Sequence, residues 1–122
     1  MSEQLSDHFY RHEFACKCAQ QGKNYCGGSG PISYELIDRL EDLRYILGGP
    51  LRITSGFRCL QHNRDIGSYP GSQHPKGNAA DIAADGRDVD EMHRLAKPLF
   101  SFVKSYGWGI HVDVRRKHGE FR

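Results

Sequence analysis

In the stretch Ser72-Gln73-His74-Pro75-Lys76-Gly77-Asn78-Ala79-Ala80-Asp81, an imidazole and a carboxylate stand seven residues apart. Zinc accepts both ligand types, and the glycine and alanines between them let the backbone curl around an ion. A third ligand is available near the C-terminus, in Gly109-Ile110-His111-Val112-Asp113-Val114-Arg115. Convergence of His74, Asp81 and His111 would hold one zinc per chain with three protein ligands and one open position. That is the arrangement of a catalytic rather than a structural zinc. The last segment alternates, with Ile110, Val112 and Val114 on one strand face and His111, Asp113 and Arg115 on the other. Alone, such alternation also describes an edge strand with a solvated face; the His74/Asp81 segment supplies the ligands that this strand lacks.

The elements that must position these groups are short. Ser33 is an N-cap for a helix over 33–47, with Leu36, Ile37, Leu40, Leu43 and Ile46-Leu47 on one stripe and acidic and basic residues opposite. Gly48-Gly49-Pro50 ends it. Leu51 to Ser55 reads as a strand, Leu60 to Ile66 as one or two helical turns, and Gly67 to Gly71 as a turn delivering the chain to His74. A second strand begins at Asp81 and runs to Ala84. A second helix spans Val89 to Phe102, capped by Asp88 and bent or broken near Lys97 by Pro98. Ser105 to Gly109 is a turn before the strand Ile110 to Arg115. Upstream, Leu5 to Phe9 starts a short helix, Glu13 to Cys18 is a brief strand or turn, and Gln20 to Gly30 is a glycine-rich loop. His8 and His12, four apart, read as surface residues. The expected fold class is α+β: a small antiparallel sheet carrying the zinc site, packed against two main helices. It forms a single domain over 1–122, with an irregular Cys/Gly-rich segment over 1–30.

A chain of 122 residues suits one compact domain. A formal charge of +2 and no long Lys/Arg run argue against nucleic acid as a partner. No stretch is long and apolar enough to span a bilayer, which excludes membrane insertion. The polar segment Met1 to Tyr10, with Glu3 and Asp7, is not a Sec-type signal peptide, so synthesis in a cytoplasm is expected. Cys16, Cys18 and Cys26 crowd into eleven residues, with Cys59 distant. Their spacing does not match the paired Cys-x-x-Cys of zinc ribbons, which leaves disulfides, reduced thiols or a second, structural zinc as alternatives.

The pattern Ser-x-His-x-x-Gly-x-Ala-x-Asp over Ser72 to Asp81, followed by a strand histidine in His111-Val112-Asp113, resembles the zinc D-alanyl-D-alanine carboxypeptidase family. That family includes phage endolysins and dipeptidases, and is similar in fold to lysostaphin-type enzymes and the hedgehog signalling domain. Ile53-Thr54-Ser55-Gly56-Phe57-Arg58-Cys59, His62-Asn63 and Glu13-Phe14-Ala15-Cys16-Lys17-Cys18 resemble a subgroup of it, so the likeness covers roughly residues 8 to 115. The resemblance implies zinc ligands at His74, Asp81 and His111. It also implies an arginine, Arg58, that binds substrate carboxylate or polarises the scissile carbonyl, and a motif serine, Ser72, that fixes its loop. Arg115 joins Arg58 and Ser72 as a substrate-facing group. The implied reaction is hydrolysis, by water activated at zinc, of a peptidoglycan peptide at a bond involving a D-amino acid. The protein would be a monomer that meets the wall after lysis or as part of a phage particle.

One departure concerns the general base. Several relatives carry Glu or Asp three residues before the last zinc histidine, where this chain has Trp108; others place a histidine slightly upstream, where it has Ser105, Tyr106 and Gly107. Asp113, on the face of His111, is the remaining candidate, either as base or as a group that orients a ligand. The alternative function is a catalytically silent module that binds the cell wall or builds a phage particle.

Overall fold

The computed structural model describes residues 2–116; the expected domain limits of 1 and 122 lie outside that range. The core is a four-stranded, fully antiparallel sheet in the order β1-β2-β4-β3, with β1 Ile53–Ser55, β2 Ala79–Ala83, β3 Phe102–Ser105 and β4 Gly109–Asp113. Three helices accompany it: α1 Tyr34–Leu47, α2 Leu60–Asp65 and α3 Val89–Ala96. This is the expected α+β architecture.

α1 forms where its spacing predicts. The Ser33 side chain accepts the Leu36 backbone N–H, and Gly48 closes the other end in a left-handed conformation, donating to the carbonyls of Arg44 and Tyr45. Its apolar stripe, Leu36, Ile37, Leu40 and Leu43, is buried against one face of the sheet, which contributes Ile53, Ile82, Ile110 and Val112. Met92 and Ala96 of α3 complete this layer. α1 and α3 therefore cover one face, and the opposite face carries polar side chains.

Several expectations need correction. The Val89–Phe102 helix stops at Ala96, with Lys97 as its C-cap, because Pro98 has no N–H to continue the ladder. The chain does not resume a helix beyond it. Phe102–Ser105 becomes the edge strand β3, paired with β4 through Phe102↔Asp113, Val103↔Val112 and Lys104↔His111. β1 is shorter than Leu51–Ser55 and contains a bulge: Ile53 pairs with Ile82 while Ser55 pairs with Asp81. β2 starts two residues before Asp81.

Nor does Leu5 to Phe9 start a helix. It folds into a strap closed by an isolated bridge between Gln4 and Tyr10, with the Leu5 N–H donating to the Phe9 carbonyl. Two anchors hold this strap. Phe9 is buried edge-to-face against Phe14, and Glu41 on α1 accepts hydrogen bonds from the Ser6 hydroxyl at 2.6 Å and from the His8 backbone N–H at 2.8 Å. The His8 Nδ1 lies 2.7 Å from the other Glu41 oxygen. Burial alone would raise the Glu41 carboxyl, but the Ser6 and His8 hydrogen bonds outweigh it and hold its pKa below the ordinary value. Of the two alternatives for Glu13 to Cys18, turn rather than strand is found, with the 3-10 turns Arg11–Phe14 and Cys18–Gln21 at its two ends.

Candidate metal centre and active site

The antiparallel register of β2 and β4 sets Asp81 directly opposite His111. Directly paired residues project from the same face, so this pairing alone makes the two side chains neighbours. His74 arrives from the 3-10 turn His74–Lys76 just before β2. The turn ends at Gly77, whose φ of +76° is left-handed and where a Cβ would stand 2.1 Å from the Pro31 carbonyl oxygen. Only glycine suits that position. The Ser72 hydroxyl accepts the His74 N–H at 3.2 Å, steadying the approach.

All three residues are buried, and their ligand atoms lie within 4.8 Å of one another. The outer ring nitrogens decide which atoms face inward. His74 Nδ1 is 2.7 Å from the Gly56 carbonyl, which can only accept, so Nδ1 carries the proton. His111 Nε2 is 2.8 Å from Asp113 Oδ2 and donates to that carboxylate. In the neutral tautomers, the inner nitrogens, His74 Nε2 and His111 Nδ1, then present lone pairs. Both point at Asp81 Oδ1, at 3.3 and 2.9 Å. Three electron-pair donors aimed at a common point repel unless a cation lies among them. Around a tetrahedral zinc such atoms would be spaced by about 3.4 Å, so this donor set fits the ion in chemistry and in span. The fixed outer partners are the feature that orients histidine ligands in zinc sites.

The three groups are also coupled electrostatically. Burial pushes the Asp81 carboxyl up, but the rings of His111 and His74, which donate to it when their inner nitrogens are protonated, pull it far below the carboxylate range. His111 is lowered by burial and raised more strongly by Asp113 and Asp81, giving a net rise.

Arg58 leaves β1 and turns inward, 7% exposed. Its Nη1 donates to Asn63 Oδ1 at 2.9 Å and Ser68 Oγ at 3.0 Å, its Nη2 donates to Ser55 Oγ at 3.2 Å, and Asp81 Oδ2 is 3.5 Å away. The bulge in β1 sets Ser55 for this contact. Asn63 also donates to the Tyr69 carbonyl, so α2 serves to clamp the arginine. Asp113 is completely buried, with both oxygens accepting from Arg115: Nε at 2.9 Å and Nη2 at 2.7 Å. Arg115 then lies over the Phe102 ring, 4.2 Å from its centroid.

A cleft of about 520 Å³ opens over these groups, within the range of small-molecule and peptide sites. Arg58, Ser72, His74, Asp81, His111 and Arg115 all line it, whereas Asp113 does not. Two further lining residues, Lys104 and Tyr106, were not anticipated as cleft groups from the sequence. Lys104 enters because β3 pairs it with His111. Tyr106 stacks on Trp108 with ring centroids 5.1 Å apart, and burial followed by the nearby Asp81 charge raises its phenol pKa. Trp108 itself is half exposed. Among the described residues lining the cleft, Asp81 is the one carboxylate.

No curated protein matches the chain. A family model described as Peptidase M15 matches residues 7–113, a span that contains every residue of the triad and its fixed outer partners. The chain belongs to the Peptidase M15 family of zinc peptidases.

Proposed function

We propose that the protein hydrolyses a D-amino-acid-containing peptide bond of bacterial peptidoglycan, as a carboxypeptidase or endopeptidase, with His74, Asp81 and His111 holding the zinc. The observation that carries this reading is the inward convergence of His74 Nε2, His111 Nδ1 and Asp81 Oδ1 at the floor of an open cleft. When bound there, zinc would lower the pKa of a water towards about 7 and polarise the scissile carbonyl.

The remaining chemistry falls to the chain. Arg58, held by three side chains, presents a preorganised cation to substrate oxygen, so little reorganisation accompanies charge development. Lys104 and Arg115 add positive charge to the walls, which favours the free carboxylate of a short wall peptide. Tyr106, protonated at neutral pH like any phenol and raised further by burial, is a hydrogen-bond donor for an oxyanion or a leaving amine. Of the two roles open to Asp113, the geometry favours orienting His111: the carboxylate is sealed from the cleft and both oxygens are taken. Ser72 supports the His74 loop.

The test is digestion of purified peptidoglycan and of short peptides ending in two D-alanines by the zinc-loaded protein. Release of D-amino acids or cut stem peptides by wild type, with activity and the zinc of the His74–Asp81–His111 centre both lost in His74→Ala and His111→Ala, is the expected result. Full activity in either variant refutes the site. The second reading, a silent wall-binding or phage structural module, draws on a specific observation. Among the described residues no cleft carboxylate other than the ligand Asp81 is present to take a proton, and Trp108 occupies the sequence position, three before His111, at which several members of the resembled family carry an acid. Zinc whose binding depends on His74 and His111, with no release from any wall type, would establish it.

A further inference from the structure

About the Gly-rich loop, a second set of ligand atoms converges. Cys16, Cys18, Cys26 and Cys59 place their four sulfurs within 4.8 Å of one another, and none is in a disulfide. Cys16 and Cys18 are buried and the other two partly so. The Cys18 and Cys26 sulfurs are 3.7 Å apart. Four sulfurs around a tetrahedral zinc, at a bond length near 2.3 Å, are spaced by about 3.8 Å.

The backbone is arranged for sulfur that carries negative charge. The Gly28 N–H points at Cys26 Sγ, the Cys59 N–H at Cys16 Sγ and the His62 N–H at Cys59 Sγ, each at 3.4 Å. Thiols are weak acceptors, whereas N–H donors satisfy the lone pairs of a thiolate that binds metal. Other sources of order here are few: the 3-10 turn Cys18–Gln21 and the Tyr25 hydroxyl, which donates to Asp65 at 2.6 Å. Ala19 to Tyr25 are all exposed. The apolar cluster at this end consists of Cys16, Cys18 and Phe57, backed by Ile32 and the other two cysteines. So small a cluster cannot offset the conformational entropy of a loop this long.

We propose that Cys16, Cys18, Cys26 and Cys59 bind one structural zinc ion, separate from the His74–Asp81–His111 centre. All four coordination positions are filled by protein, so this ion closes the loop and leaves no place for substrate. Each thiol that ligates gives its proton to solvent. Disulfides would consume the sulfurs two by two and give no reason for all four to share one centre. The site also reaches the cleft. Cys59 adjoins Arg58 and caps α2, its sulfur accepting the His62 N–H, and α2 supplies the Asn63 that holds Arg58. The ion thereby fixes the corner from which the arginine projects.

The experiment is metal analysis and cobalt substitution on the full chain, wild type beside a Cys18→Ser/Cys26→Ser double variant and a His74→Ala variant. Two zinc ions per chain in wild type are expected. With Co2+ as the probe, strong near-ultraviolet thiolate-to-cobalt absorption should appear in wild type and His74→Ala, and be missing in the double variant. Four titratable thiols should be released by unfolding in chelator without reductant. One metal per chain with no thiolate absorption, or fewer than four free thiols, would overturn the proposal. The spectrum and the thiol count are read on wild type, so they decide even if the double variant fails to fold. They are also independent of whether the cleft hydrolyses peptides.

Discussion

Asp113 is where a single side chain separates two mechanisms. Its carboxyl is pushed up by burial but pulled down more strongly by Arg115 and His111, to a pKa of about 2. A depressed carboxylate stabilises the fold above its unfolded pKa, and that contribution is lost as pH falls through the folded value. The contribution is about 2 kcal/mol at neutral pH. Asp113→Asn should therefore unfold more easily than wild type at pH 7, with the gap narrowing between about pH 4 and pH 2. As a group that orients His111, Asp113 should also cost about 10- to 100-fold in zinc affinity when replaced. Were it instead the proton acceptor, turnover would vanish with zinc affinity unchanged. Zinc titration beside initial rates distinguishes these outcomes. The triad was legible because His74, Asp81 and His111 carry their chemistry in residue type and spacing. The shared face of His111, Asp113 and Arg115 was legible too, but the placing of Phe102 under Arg115 was not, because it depends on β3 lying beside β4.

At the scale of elements, the caps and breakers were legible and the pairing was not. Ser33, Gly48 and Pro98 act through local backbone chemistry, and the helix ends they imply match those of α1 and α3. Phe102 was placed at a helix end and Ser105 in a turn, with Val103 and Lys104 in no element, because these four residues gain strand geometry only by pairing, and pairing partners are remote in sequence. The same holds for Lys104 and Tyr106, whose place in the cleft follows from that edge. Gly77 is the element-level counterpart of the triad, since the turn it closes delivers His74. Gly77→Ala should cost at least about 2 kcal/mol, combining a left-handed φ with a backbone clash. Urea unfolding checks this, and a loss below about 0.5 kcal/mol would show that the turn can adapt.

For the molecule as a whole, the layer of α1 and α3 and the cleft lie on opposite faces of one sheet, so the apolar packing and the cleft chemistry are drawn from different sets of residues. Leu40 and Leu43 hold the fold without reaching the cleft, while Arg58 and Lys104 serve the cleft from its walls. Among the described residues no helix is long and apolar enough to cross a membrane. The Glu41 clamp on the N-terminal strap has a consequence in the language of motion. Because the hydrogen-bonded carboxyl is depressed, its grip persists above the ordinary carboxylate pKa and fails as acid protonates it. The strap should then open as a unit while the sheet stays closed, a low-energy fluctuation distinct from global unfolding. In hydrogen exchange, protection of the Leu5 and Arg11 amides, bonded to Phe9 and Glu3, should collapse once pH falls below the ordinary carboxylate range. Protection across the β2–β4 ladder should remain; simultaneous loss in both places would show that strap and sheet open together.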